Sequence, residues 1–255
     1  MSVRIKEVID ALESFAPLPL QESYDNAGLQ VGLTETEVSG ALLCLDVTEA
    51  VMREAVDMGC NLVVSHHPVL FSGLKRIGDA TDVERVVRMA IANDVAIYSA
   101  HTNLDKAEDG VNYRMADKLG LIDVVPLGEC GVIGYMQAGM DSRFFLDRVK
   151  DVFHCDCLMH NEPLERQIVS VAICGGAGDF LLDEALAQEA DAFLTGEMHY
   201  HRYMGQEQRI QIGVLGHYES EQYTTEIFQE ILSERFPQLA VYRTEVNTNP
   251  IHYLI

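Results

Sequence analysis

Basic residues are scarce in this chain of 255 residues: 18 Lys and Arg stand against 40 Asp and Glu, a formal net charge of -22. Such a balance repels nucleic-acid phosphates and anionic membrane surfaces, so neither is an expected partner; cations are the more natural guests. Long apolar runs are missing too. No segment reaches the length of a membrane-spanning helix, and the N-terminal MSVRIKEVIDALESF places Ile5, Val8, Ile9, Leu12 and Phe15 on a helical face instead of forming the unbroken apolar stretch of a signal peptide. CxxC pairs are absent. The six cysteines lie mostly within apolar stretches and read as reduced core residues of a cytoplasmic protein. The close pair Cys155 and Cys157, with only His154 and His160 nearby, has no second pair to complete a zinc site.

What is present is apolar mass: 48% hydrophobic residues, enough for one large domain or two small ones. After the first helix and the stretch PLPLQESYDNAGLQVG comes ALLCLDV (41–47), which reads as a buried strand. Thr48 then caps a helix closed by Gly59, and NLVVS (61–65) is a second strand of the parallel, crossover-linked kind. Thr81 and Glu84 have capping-box spacing and open a helix with Val83, Val86, Val87, Ala90 and Ile91 on one face, ahead of the strand VAIYSA (95–100). The second half replays this order: strand 169–176, helix from Asp179, strand 191–196, strand 212–216. A strand GVIGYMQA and a helix beginning near Asp141 with Phe144, Phe145 and Val149 lie between the halves. The reading is an α/β protein of two lobes, 1–126 and 127–255.

The replay carries chemistry. Aligning NLVVSHHP with DAFLTGEMHYH, and VAIYSAHTNLD with IGVLGHYESE, puts ionisable residues directly after a strand in all four places, and six of the nine histidines fall there. Ligands of open α/β sheets bind beyond the carboxyl ends of the strands. Unpaired histidines and carboxylates are costly to cluster, whereas a divalent cation neutralises the carboxylates and takes imidazole lone pairs.

Within SHHP, successive strand residues point to opposite faces, so His66 and His67 can aim at one centre only where the pleat ends, and Pro68 helps fix that exit. Two adjacent ligands pointing in different directions suit two neighbouring ions. His217 and Glu221 are spaced i, i+4, so a last long helix beginning near Tyr218 would put them one turn apart, with a carboxylate placed to bridge two cations. Asp105 offers another oxygen, and His101 is either a ligand or a group that orients one, the second being favoured. Taken singly, an HHP, an HxxxE pair or a loop Asp each has an ordinary structural explanation; their joint placement after equivalent strands raises the metal reading above it. His199 and His201 read either as substrate-side or ligand-orienting residues or as ligands themselves. The mixed N/O set suits Zn, Mn, Fe or Co better than Ca or Mg.

At these residues the sequence resembles the Nif-three-like family of dinuclear metal proteins, also called GTP cyclohydrolase I type 2 homologues. The motifs are SYDNAGLQVG (23–32), SHHPVLFSGLKRI (65–77), AHTNLD (100–105), LTGEM (194–198) and GHYESE (216–221), which span almost the whole chain. By length the chain resembles the short form, without the domain that longer members insert. The resemblance implies His66, His67, Asp105, His217 and Glu221 as ligands of two divalent ions, with Glu221 the bridge, in a cleft between two similar α/β lobes. It also implies a ring-shaped homohexamer. Tyr24 stands where the family commonly has Trp, and Tyr218 where it often has a second His, two departures that bear on substrate choice.

The expected function is metal-dependent hydrolysis of a nucleotide-like or phosphate-bearing compound, with two cations about 3.5–4 Å apart activating water. His101 is the candidate for proton transfer, and Lys75 and Arg76 are candidate phosphate contacts or simply a solvated basic turn. Rival readings are a GTP cyclohydrolase, suggested by the family's name, and a non-enzymatic metal-binding or scaffold protein. A nucleic-acid partner threaded through a ring would need a basic lining that Lys75, Arg76, Arg202 and Arg209 are too few to guarantee.

Overall fold

The computed structural model describes residues 2–254 and is a mixed α/β protein with two sheets. Packing divides it into one unit of residues 1–107 and 224–250 and a second of 108–223 and 251–255. Among the described residues no helix is long and apolar enough to cross a membrane.

The first unit begins with α1 (Ile5–Phe15), which buries Ile5, Val8, Ile9 and Leu12 at helical spacing. It continues through β1 (Gly28–Val31), β2 (Ala41–Cys44), α2 (Glu49–Asp57), β3 (Leu62–Ser65), α3 (Asp82–Ala92), β4 (Ala96–Ser99) and the short α4 (Thr102–Lys106). Strands β2, β3 and β4 are parallel and buried at every residue, as expected of a sheet covered on both faces. Thr48 caps α2 through the Val51 amide, and Gly59 ends it at φ +71, a left-handed conformation that glycine adopts without steric cost.

In α3 the Thr81 hydroxyl accepts from the Glu84 amide as the capping spacing predicts, but the Glu84 carboxylate turns to the Gly78 and Ala80 amides instead of closing the box. Ile91 is the other departure. It is 55% exposed, because the buried stripe of α3 runs through Val86, Val87 and Ala90 and has rotated off Ile91 by the last turn.

The second unit follows with α5 (Val111–Leu119), β5 (Ile122–Leu127), β6 (Gly131–Met140), α6 (Ser142–Val152), β7 (Met159–His160), β8 (Ile168–Cys174), α7 (Leu182–Ala187), β9 (Ala192–Thr195), β10 (Gln211–Val214) and α8 (His217–Glu221). Its sheet runs β5-β6-β8-β9-β10-β7, with β8, β9 and β10 parallel. Alternation along β8 supplies two cores: Val171 and Ile173 join Phe145, Val149 and Phe153, while Ala172 and Cys174 join Leu181, Leu182 and Phe193. Adjacent phenylalanines on α6 cannot both face inward, so Phe145 is fully buried and Phe144 lies 70% exposed.

The chain then returns to the first unit with α9 (Thr224–Arg235) and β11 (Val241–Arg243), which pairs parallel with β2 at the sheet edge. The expected single helix from Tyr218 is therefore two. It breaks at Gln222 and Tyr223, where the chain leaves the second unit; Tyr223 is committed there to a ring contact with Phe153.

Candidate metal centre

Register decides which side chains can meet. In the first sheet Cys44, Ser65 and Ser99 are aligned neighbours, so β2, β3 and β4 end at one level. The residues that emerge there are Asp46, the pair His66 and His67, and His101. The Ser65 and Ser99 hydroxyls are hydrogen-bonded to each other at 2.7 Å and both lie within reach of the His67 carbonyl, to which the proton left over donates, and this pins the exit before Pro68. His66 and His67 remain attached to the sheet through their amides, bonded to the Cys44 and Leu45 carbonyls.

One ring nitrogen from each of His66, His67 and His101 lies within 4.8 Å of the other two, so this group could hold a metal ion. His66 is fully buried, and its Nε2 lies 3.6 Å from Asp105 Oδ1. Asp105 reaches that position because His101 is the N-cap of α4: the Asp105 amide donates to the His101 carbonyl, which puts the two residues one turn apart.

The other ring nitrogens set the tautomers. His66 Nδ1 is 2.8 Å from the Ala100 carbonyl, His67 Nδ1 is 2.7 Å from Asp46 Oδ1, and His101 Nδ1 is 2.7 Å from Asp25 Oδ1. A carbonyl or an ionised carboxylate can only accept, so each Nδ1 carries the proton and each Nε2 presents a lone pair. Burial by itself would raise the Asp25 carboxyl, but hydrogen bonds from His101, Thr102 and the Asn26 amide overcome it and hold the group well below the ordinary carboxylate range. Asp46 is likewise lowered against its burial, by His67 and by the Thr248 hydroxyl, which donates to Oδ2 at 2.9 Å.

The second sheet repeats the device. Cys174, Thr195 and Val214 are aligned, and the chain leaves all three strands through glycine: Gly175 and Gly176, Gly196, and Gly216. Gly216 takes φ +108, a conformation closed to other residues without strain, and turns the chain into α8 with His217 as its first residue. His217 Nε2 then lies 3.0 Å from Glu221 Oε2, and its Nδ1 lies 2.7 Å from Glu197 Oε1 at the exit of β9. Gly176, at φ +58, lets the Glu221 carboxylate approach the main chain: a Cβ there would stand 2.3 Å from Oε1.

Within the first unit the donor chemistry fits a divalent transition ion: three imidazoles whose Nδ1 is committed to an oxygen acceptor, and the Asp105 carboxylate for charge. His199 is engaged elsewhere, with Nδ1 2.6 Å from Asp179 and the side chain 89% exposed, and His201 meets the Tyr200 ring edge-on. Lys75 and Arg76 are exposed in the loop after His67. Sequence reasoning missed the orienting acceptors Asp25, Asp46 and Glu197. Asp46 carried a usable signal, an acid directly after the apolar run ALLCL, whereas Asp25 reaches His101 across 76 positions with no periodicity to announce it.

These features define an α/β protein with imidazole and carboxylate groups gathered at the carboxyl ends of parallel strands. Residues 3–250 match the Duf34/NIF3 (NGG1p interacting factor 3) family, and the chain belongs to it. It is 32% identical over 232 residues to the GTP cyclohydrolase 1 type 2 homolog of Clostridium acetobutylicum, covering 87% of this chain and 86% of that protein. It is 30% identical to NIF3-like protein 1 of Drosophila melanogaster, covering 97% of this chain and 88% of that one. In fold it matches the crystal structure of a Bacillus cereus protein related to NIF3, with a TM-score of 0.90 at 22% identity over the whole of both chains.

Proposed function

We propose that His66, His67, Asp105, His217 and Glu221 hold two divalent ions, Glu221 bridging them, and that the protein is a metal-dependent hydrolase of a nucleotide-like or phosphate-bearing compound. The observation that carries this reading is the shared anchoring of four imidazoles: each Nδ1 is spent on an oxygen acceptor, which orients Nε2 as a donor atom. A purely structural histidine cluster has no need of that uniformity. A bound pair of divalent ions supplies Lewis acidity, acidifying water and polarising a phosphoryl or carbonyl oxygen.

The chain's own residues do the rest. His101 takes a proton at Nε2 while Asp25, hydrogen-bonded at Nδ1, stabilises the imidazolium that forms. Asp46 and Glu197 hold the His67 and His217 rings in place. Lys75 and Arg76, in the loop following His67, supply charge for a substrate phosphate. The protein works in the cytoplasm as a toroidal homohexamer, a state that light scattering on the purified chain tests.

Elemental analysis of protein purified without a metal-affinity tag tests the centre: about two ions per chain, lost in His67→Ala, with nucleotides and phosphoesters then screened under Zn, Mn, Fe and Co. Replacing His101 by Asn separates its roles, since loss of turnover with metal retained marks proton transfer and loss of metal marks a ligand. The names of the relatives favour a second reading, GTP cyclohydrolase activity; release of formate from GTP, without phosphate, would establish it. Bound metal with no turnover of any substrate would favour a non-enzymatic metal-binding scaffold.

A further inference from the structure

Two thiols of the second unit lie close together outside the ligand set: Cys130 Sγ and Cys174 Sγ are 3.6 Å apart. Cys130 belongs to the turn between β5 and β6, and Cys174 is the last residue of β8. Antiparallel pairing of β6 with β8 brings the two segments side by side, and the buried Asn112 fastens them. Its Nδ2 donates to the Cys130 carbonyl at 2.7 Å, and its Oδ1 accepts from the Gly175 amide at 2.8 Å. Cys174 is buried, whereas Cys130 is half-buried and open to a small oxidant. Burial pushes the Cys44 thiol up, and pushes Cys155 to about 12, which leaves those two poor competitors for oxidation.

The same strand end touches the metal site. The turn Gly175–Gly178 wraps Cys174, a Cβ at Gly178 falling 2.6 Å from its Sγ, and Gly176 in that turn receives the Glu221 carboxylate. Contracting a sulfur separation of 3.6 Å to the roughly 2.05 Å of a disulfide draws the β5–β6 turn and the strand end that carries Gly176 toward one another.

We propose that Cys130 and Cys174 are a dithiol that closes to a reversible disulfide under a hydroperoxide and thereby weakens metal binding at His217 and Glu221. The Cys130 thiolate attacks the peroxide oxygen and breaks the O–O bond, giving a sulfenic acid and releasing the alcohol, or water from hydrogen peroxide. The Cys174 sulfur then attacks the Cys130 sulfur, and the hydroxyl leaves as water with the Cys174 proton. Two thiols lose two electrons and the peroxide gains them; a dithiol reductant reverses the change. The disulfide stands on the thiol geometry alone, while its effect on metal rests on the proposed ligand roles of His217 and Glu221.

Trypsin separates the cysteines cleanly, placing Cys130 alone in peptide 119–143 and Cys174 alone in 167–202. The full chain, treated with a few equivalents of hydrogen peroxide and digested without reductant, is expected to give these two peptides joined, 2 Da below their summed mass, and separated by dithiothreitol. Zinc affinity, measured by chelator competition, is expected to fall several-fold on oxidation and to be insensitive to peroxide in both Cys130→Ser and Cys174→Ala. Oxidation confined to the exposed Cys157, with Cys130 and Cys174 still alkylatable, overturns the disulfide. A joined peptide with unchanged zinc affinity overturns the coupling. Failure of the untreated chain to bind zinc removes the metal reading and the coupling together, while the mass of the peptides still decides the disulfide.

Discussion

The strand ends of the two units use one plan with different degrees of enclosure. In the first, His66 is fully buried on a main-chain carbonyl, and His101 leans on Asp25, whose carboxylate is 0% exposed. In the second, His217 is one-third exposed and its partner Glu197 is 58% exposed. An orienting hydrogen bond shielded from water holds its geometry better than one that water can replace. The first unit therefore offers the more rigid donor set, with His67 intermediate on an Asp46 whose side chain is 36% exposed, and the second an adjustable histidine beside a buried carboxylate, Glu221.

The largest test of that contrast removes a donor from the rigid side. His67→Ala is expected to abolish high-affinity zinc or manganese uptake, seen by elemental analysis after gel filtration; retention of both ions would break the assignment. Next come the orienting acids. Asp25→Asn should lower metal affinity or turnover by about 10–100-fold, whereas Glu197→Gln should stay near or below the bottom of that range, because its partner is already hydrated. Equal effects in a chelator titration would show that enclosure does not matter here.

Gly176→Ala probes the carboxylate. A side chain in the left-handed conformation costs roughly 1–2 kcal/mol, and its Cβ displaces Glu221, so thermal unfolding should drop by several degrees and metal affinity with it. An unaltered melting curve would contradict the close approach.

The smallest effect is reserved for a carboxylate outside the site. Burial would raise Asp191, but the Ser170 and Val169 amides and Arg166 outweigh it and lower its pKa. A depressed folded-state value stabilises above the unfolded pKa of about 3.9 and is lost as pH falls toward the folded value. Asp191→Asn should thus cost about 1 kcal/mol at neutral pH, with the deficit shrinking below about pH 4, and leave metal content unchanged. Urea melts at pH 7 and pH 3.5 decide it.

Local rules carried much of the fold. Apolar runs bounded by caps and glycines located β3, β4, β8, β9 and β10 to within a residue or two and β2 to within three, and the parallel order followed from the alternation with helices. Tertiary choices escaped them. YESEQYTTEIF contains neither proline nor glycine, yet α8 and α9 separate there because their residues serve different cores. In the site, His66, His67, His101, His217 and Glu221 stood out because strand ends collect ligands. The acids that orient the rings did not, since Asp25 and His101 meet through the packing of a loop.

The placement of β11 sets an order on synthesis. Tyr242 pairs with Leu42, and Thr248 reaches Asp46, contacts that span two hundred residues. A ribosome delivers every strand of the second unit before it delivers the strand that closes the first, so β2 spends most of translation with an open edge. The inserted unit can mature while its host waits. Asp46 receives its last hydrogen bond, and His67 its finished support, only when the tail has docked, which makes the setting of the His67 ring one of the final events in the life of the nascent chain.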